Sequence, residues 1–158
     1  VDMTDQSAIE AAGSAAAVPQ YGALCWRMHG GKARVLLVTS RDTGRWIIPK
    51  GWPMAGFVPA MAAAQEAWEE AGVEGRVDGA SLGVYSYLKL RPAAKDVTCA
   101  VEVFPLRVDR LQRRYPERGE RRRKWFAPEK AARKVGEPEL RALILAFGEA
   151  AEQAAAGA

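Results

Sequence analysis

Glu66, Glu69 and Glu70 stand at positions i, i+3 and i+4, just ahead of Gly72. From Pro59 to Ala71 the chain is rich in alanine, with no internal glycine or proline, so this spacing translates into geometry. At about 100° per residue, the three carboxylates share an arc of roughly 100° on one helix face. Ala60, Ala64, Ala67 and Ala71 fall on another arc, where small side chains let a helix press close against a sheet. Like charges so placed repel, and two environments tolerate them: water that screens them, or a divalent cation that neutralises them. Hard oxygen ligands suit Mg²⁺ or Mn²⁺ rather than Zn²⁺. Taken alone, the triplet fits a solvated surface better, since such spacing is common on exposed helix faces. Its surroundings favour the metal. Trp46-Ile47-Ile48 reads as a short apolar strand running into a turn-rich loop, Pro49 to Pro53, and Gly72-Val73 reads as a helix C-cap followed by an apolar residue.

The substrate side of such a site needs cations. Lys plus Arg number 23 against 19 Asp plus Glu, for a net charge of +4. The excess is concentrated in Arg107, Arg110, Arg113, Arg114, Arg118, Arg121, Arg122, Arg123 and Lys124. Such a run suits a solvated face, nucleic acid or a phosphate-rich small molecule. No aromatic residue interrupts Arg121–Lys124 before Trp125 and Phe126, which read as core-strand residues. A base-stacking platform is therefore not evident, and nucleic acid is not the expected partner. His29, the sole histidine, sits beside Gly30-Gly31 in a hairpin turn, which argues against histidine-based catalysis. Cys25 and Cys99 lie in apolar strand-like runs without Cys-x-x-Cys spacing, and read as buried free thiols.

The elements that position these residues fit a single domain. A chain of 158 residues is long enough for one core and short for two. No apolar run approaches the ~20 residues needed to cross a bilayer. Val1 to Thr4 has no basic stretch with an apolar core behind it, so no secretory signal and a cytoplasmic location are expected. Residues 1–17 read as a disordered segment, 18–152 as the domain, and 153–158 as a flexible tail. Strands are expected at Tyr21–Met28, Ala33–Ser40, Trp46–Ile48, Ser81–Arg91, Val97–Val108 and Trp125–Phe126. Beyond the acidic helix, a helical turn is expected at Pro128–Lys134 and a final helix from Glu137 to about Glu152. In that last helix Leu140, Leu143, Ile144 and Phe147 form one apolar stripe. The order suits an α+β sandwich of mixed and antiparallel strands, with the acidic helix covering one face of the sheet.

At the acidic helix the chain resembles the Nudix hydrolase family. Gly51, Glu66, Ala67, Glu69, Glu70, Gly72 and Val73 match its signature in register. Phe57 stands where the family has its first Glu, and Gln65 where it has Arg. Arg45-Trp46-Ile47-Ile48-Pro49-Lys50-Gly51 and Arg123-Lys124-Trp125-Phe126 are similar to the branch of diphosphoinositol polyphosphate and dinucleoside polyphosphate hydrolases. The resemblance implies an α/β/α sandwich and Mg²⁺- or Mn²⁺-dependent hydrolysis of a pyrophosphate bond in a polyphosphorylated small molecule, by a monomer or homodimer. It implies metal ligation by Glu66, Glu69, Glu70 and the Gly51 carbonyl. A further catalytic carboxylate is implied from a later loop, Glu120 first, then Glu117 and Glu102. The phosphate contacts implied are Arg45, Lys50 and Arg121, Arg122 and Arg123, with Lys89 and Arg91 as additions.

In the family the missing Arg and Glu form an ion pair that pins the loop to the helix. Replacing both partners avoids stranding one charge, and Phe57 is expected to fasten the loop by burying its ring. The alternative is a catalytically weakened module of the same fold that binds a phosphorylated ligand or RNA.

Overall fold

A computed structural model describes residues 17–157. The expected disordered segment lies, apart from Ala17, outside the described residues. Strand β1 (Val18–His29) turns through Gly30 and Gly31, both at positive φ, into β2 (Lys32–Thr39). The short strands β3 (Trp46–Ile47) and β4 (Lys50–Gly51) follow, then helix α1 (Pro59–Ala71) and β5 (Val73–Val77). Strands β6 (Gly83–Lys89), β7 (Val97–Leu111) and β8 (Arg123–Phe126) come next. Helices α2 (Pro128–Lys134) and α3 (Pro138–Ala156) complete the described chain.

The strands form one mixed sheet in the order β3-β2-β1-β7-β5. β4 pairs with β1, β6 with β7 and β8 with β2. Only the central β1–β7 pairing is parallel, from Val18 opposite Cys99 to Trp26 opposite Arg107. Alternation along the strands feeds two cores, one on each face. Ala23, Cys25, Leu36 and Val38 point to α1, where they meet Ala63, Ala67 and Ala71. Leu24, Val35, Leu37 and Val101 point the other way, towards Ala131, Leu140 and Ile144 of α2 and α3. The result is the expected α/β/α sandwich.

Three local differences from the sequence reading have physical causes. β4 and β5 are strands where none was expected. Lys50-Gly51 is too short to show periodicity, and Gly75 interrupts β5 at a bulge opposite β7. The last helix continues through alanines to Ala156, past its expected end. Phe57 is 44% exposed, so it does not fasten the loop by burial. A tight turn does so instead, with the Phe57 N–H donating to the Met54 carbonyl (3.1 Å) and Gly56 at φ +82°.

Candidate active site

The acidic helix is seated by its alanines. Ala60, Ala63, Ala67 and Ala71 are buried against the sheet, which brings the α1 backbone close to β1 and β4. At its end Gly72 adopts a left-handed conformation (φ +67°), and its N–H donates to the Trp68 carbonyl at 2.9 Å. The Arg123 guanidinium donates to the Ala71 carbonyl at 2.6 Å, closing the same helix end.

From this seat Glu66 and Glu70 point at β4. A β-carbon on Gly51 would overlap the Glu66 carboxylate, so only glycine leaves room for it there. Glu70 is 5% exposed, and its Oε1 has no hydrogen-bond partner. Burial pushes its carboxyl up to about 8, with the neighbouring Glu66 adding to the rise and Arg121 opposing it. The Glu66 carboxyl is raised as well, again chiefly by burial. Both shifts have the sign expected of two carboxylates forced together away from water.

Arg121 is the counter-ion built into this pair. Its guanidinium is 9% exposed and lies 3.9 Å from Glu70 Oε2. It donates to Glu117 Oε1 at 2.9 Å and to the Thr39 carbonyl at 3.2 Å. Glu117, whose N–H donates to the Glu69 carbonyl (2.9 Å), thus joins the cleft through Arg121. The cleft, about 190 Å³, is also lined by Gln20, Arg41, Lys50, Trp52, Tyr87 and Lys89. Lys50 lies 4.6 Å from the Tyr87 ring centre, and its burial lowers the ammonium's affinity for its proton. A second groove of about 660 Å³ shares Ile47, Lys50, Tyr87 and Lys89 with the first, and continues past Arg45 and Arg91 to Leu88 and Leu90.

The remaining expected residues lie elsewhere. Glu69 is outside the cleft wall and accepts a hydrogen bond from Gln65 at 2.9 Å, so Gln65 binds along the helix instead of across to the loop. Glu120 is exposed and paired with Arg41 at 3.0 Å. Glu102 sits on β7, between Tyr21 and Val84, and does not line the cleft. Arg45 is bound to Glu137 at 2.9 Å on the rim of the outer groove. Arg122 lies over Trp46. The run divides: Arg121 enters the cleft, Arg122 is exposed, and Arg123, the first residue of β8, caps the helix. Gln20, Arg41, Trp52 and Tyr87 were not anticipated. Gln20 carried a usable signal, being a polar residue among apolar strand neighbours, and its Oε1 accepts from the Tyr87 hydroxyl at 2.8 Å.

The donor set fits a hard divalent cation. An orphaned buried carboxylate oxygen, a second carboxylate beside it and a glycine that lets that carboxylate lie against the main chain are a donor set such an ion can use. Among the described residues no three carboxylates, histidines or cysteines converge on one point; Glu66 and Glu70 meet, and the main chain of Gly51 flanks them.

Fold and cleft together define an α/β/α sandwich that presents paired helix carboxylates against a strand glycine. Residues 18–147 match the NUDIX domain family, and the chain belongs to it. It is 32% identical over 103 residues to the mitochondrial Nudix hydrolase 12 of Arabidopsis thaliana, covering 63% of this chain and 51% of that protein. It is 33% identical over 110 residues to diphosphoinositol polyphosphate phosphohydrolase 3-alpha of Homo sapiens, covering 68% and 63%. The chain thus spans between half and two thirds of these relatives. A C. elegans Ap4A hydrolase shares the fold at 21% identity with a TM-score of 0.59, covering 83% of this chain and 96% of that one. The E. coli dihydroneopterin triphosphate pyrophosphohydrolase does so at 16% identity with a TM-score of 0.60, covering 82% and 94%. No helix among the described residues is long and apolar enough to cross a membrane.

Proposed function

We propose that this protein hydrolyses a pyrophosphate bond in a polyphosphorylated small molecule, of dinucleoside polyphosphate or diphosphoinositol polyphosphate type, with Mg²⁺ or Mn²⁺ bound at the acidic helix. The observation that carries this reading is the buried Glu70 beside the half-buried Glu66 against Gly51, with one Glu70 oxygen unpartnered. Membership of the family and the names of the relatives support it.

In this reading Glu66, Glu70 and the Gly51 carbonyl would hold the ion, with Glu69 supporting the helix from outside the cleft. A divalent ion there would neutralise phosphate oxygens and acidify a bound water. The chain's own groups do the rest. Lys50 and Lys89, which face both the cleft and the groove, neutralise the substrate's anionic oxygens and align the bond to be cleaved. Arg45 and Arg122 extend that positive field at the rim. Arg121 keeps Glu70 and Glu117 in place before substrate arrives. Glu117, held at the cleft wall, takes the attacking water's proton, the part expected of Glu120.

The test is release of phosphate products from a panel of polyphosphorylated substrates with Mn²⁺. Turnover is expected in the parent protein, with a fall of at least ~10²-fold in Glu70→Gln while the circular dichroism spectrum is unchanged. Undiminished turnover in Glu70→Gln would remove the site. Salt-sensitive binding of phosphorylated ligands or RNA without turnover on the whole panel would instead identify a binding module.

A further inference from the structure

A second cleft, of about 480 Å³, lies at the β1–β7–β5 side of the sheet and shares no lining residue with the acidic cleft or its groove. Its floor is one row across three strands. Trp26 of β1 is the register partner of Arg107 of β7, and Arg107 is the partner of Arg76 of β5. The bulge at Glu74/Gly75 sets this register, and Gly75 has no β-carbon because the Arg107 carbonyl occupies that space. Residues directly opposite across neighbouring strands project from the same face.

The row is electrostatically unfavourable as it stands. Like charges directly opposite one another across a ladder destabilise it. Arg76 finds only a long, exposed contact with Asp109, at 3.7 Å, and such pairs contribute little. Arg107 has no carboxylate partner among the described residues; its guanidinium lies 5.1 Å from the centre of the Trp26 ring. Phe147 of α3 meets Trp26 edge to face at 5.1 Å and forms the aromatic wall. Asp78, the one carboxylate lining the cleft, accepts from the Ala80 N–H through Oδ1 at 2.9 Å.

We propose that this cleft is a second, metal-independent binding site for an organic phosphate of nucleotide size. The anionic head sits between Arg76 and Arg107, and the body lies along the Trp26–Phe147 edge. Two opposed guanidinium forks suit a phosphate, which accepts bidentate bonds from both. A cleft of this volume with an aromatic wall suits a small molecule. This site does not depend on the chemistry of the acidic cleft.

The test titrates AMP, and separately inorganic phosphate, into ¹⁵N-labelled protein in EDTA. The readout is NMR of the backbone amides and indole N–H groups, with the Trp26 indole assigned through Trp26→Phe. Saturable shifts of the Trp26 indole and the Arg107 and Gly79 amides are expected. Arg76→Gln with Arg107→Gln is expected to weaken AMP binding at these residues by roughly tenfold or more. Arg113→Gln with Arg114→Gln removes the same charge elsewhere and is expected to leave that binding within about twofold of the parent. Inorganic phosphate, lacking the body, is expected to bind the same residues more weakly than AMP. Absence of saturable shifts at the row, equal losses in both double variants, or phosphate binding as tightly as AMP would overturn the proposal.

Discussion

The two faces of the sheet are built from different materials. On α1 the packing residues are small, Ala60, Ala63, Ala67 and Ala71, set on a sheet face where Phe104 and Leu106 stand beside Ala23 and Cys25. Under α2 and α3 they are large, with Tyr85, Phe126, Leu140 and Ile144 filling the space. Small side chains bury less apolar area, so the alanines of α1 contribute less per residue to stability. What they allow is close approach, and close approach brings Glu66 up to the main chain of Gly51. One face is shaped for holding the fold together, the other for bringing charge near a backbone.

Breaking this division should cost different things on the two faces. Leu140→Ala, on the bulky side, is expected to lose roughly 2–5 kcal/mol of stability by opening a cavity. Urea denaturation would measure that loss, and turnover per folded molecule should be unaltered. Gly51→Ala should do the reverse. Its new methyl meets the end of a flexible glutamate rather than backbone, so the fold adapts by moving Glu66. Turnover is expected to drop by roughly 10–100-fold, with stability changed by less than about 1 kcal/mol.

A third outcome concerns pH. The Glu70 carboxyl, held up at about 8 by burial against an ordinary value of 4.5, keeps a proton in the folded metal-free protein that the unfolded chain releases. Between pH 4.5 and about 8 the folded state therefore binds more protons, and its stability falls as pH rises through that window. Denaturation in EDTA across this range should show the slope, and Glu70→Gln should flatten it. Saturating Mn²⁺ should also abolish it, because a cation replaces the proton. The smallest effect is expected at the exposed rim: Glu120→Gln should leave turnover within about twofold, where Glu117→Gln lowers it by about tenfold or more.

The acidic face was legible because helix geometry converts sequence spacing directly into angle. So was the alanine seat, which differs only in having Ala63 buried where Ala64 was expected and Ala64 at its edge. Glu69 shows the limit of that reasoning. It shares the arc, yet Gln65, four residues earlier, draws its carboxylate along the helix. Arg121, Arg122 and Arg123 look equivalent in sequence, but only Arg123 lies in β8, and neighbours on other elements decide their roles: Glu117 and Thr39 for Arg121, Trp46 for Arg122 and the Ala71 carbonyl for Arg123. The choice between Glu117 and Glu120 was illegible for the same reason. A loop has no period, and which carboxylate faces inward depends on Arg121 and Arg41, partners supplied by other parts of the chain. The strands β4 and β5 escaped because their pairing partners, not their own composition, define them.

The parallel β1–β7 pairing has a consequence for synthesis. β1 is the first described strand to leave the ribosome, yet its central partner is separated from it by most of the domain. Closing so long a loop must precede the contacts that reward it, which slows folding. Until β7 emerges, one edge of β1 and the apolar residues meant for both layers stay open. A nascent chain halted between α1 and β7 would carry the signature helix complete in sequence, but only the β1–β4 part of the sheet to set it against. Any shortened version of this protein that ends before Leu111 should therefore be judged by aggregation before it is judged by activity.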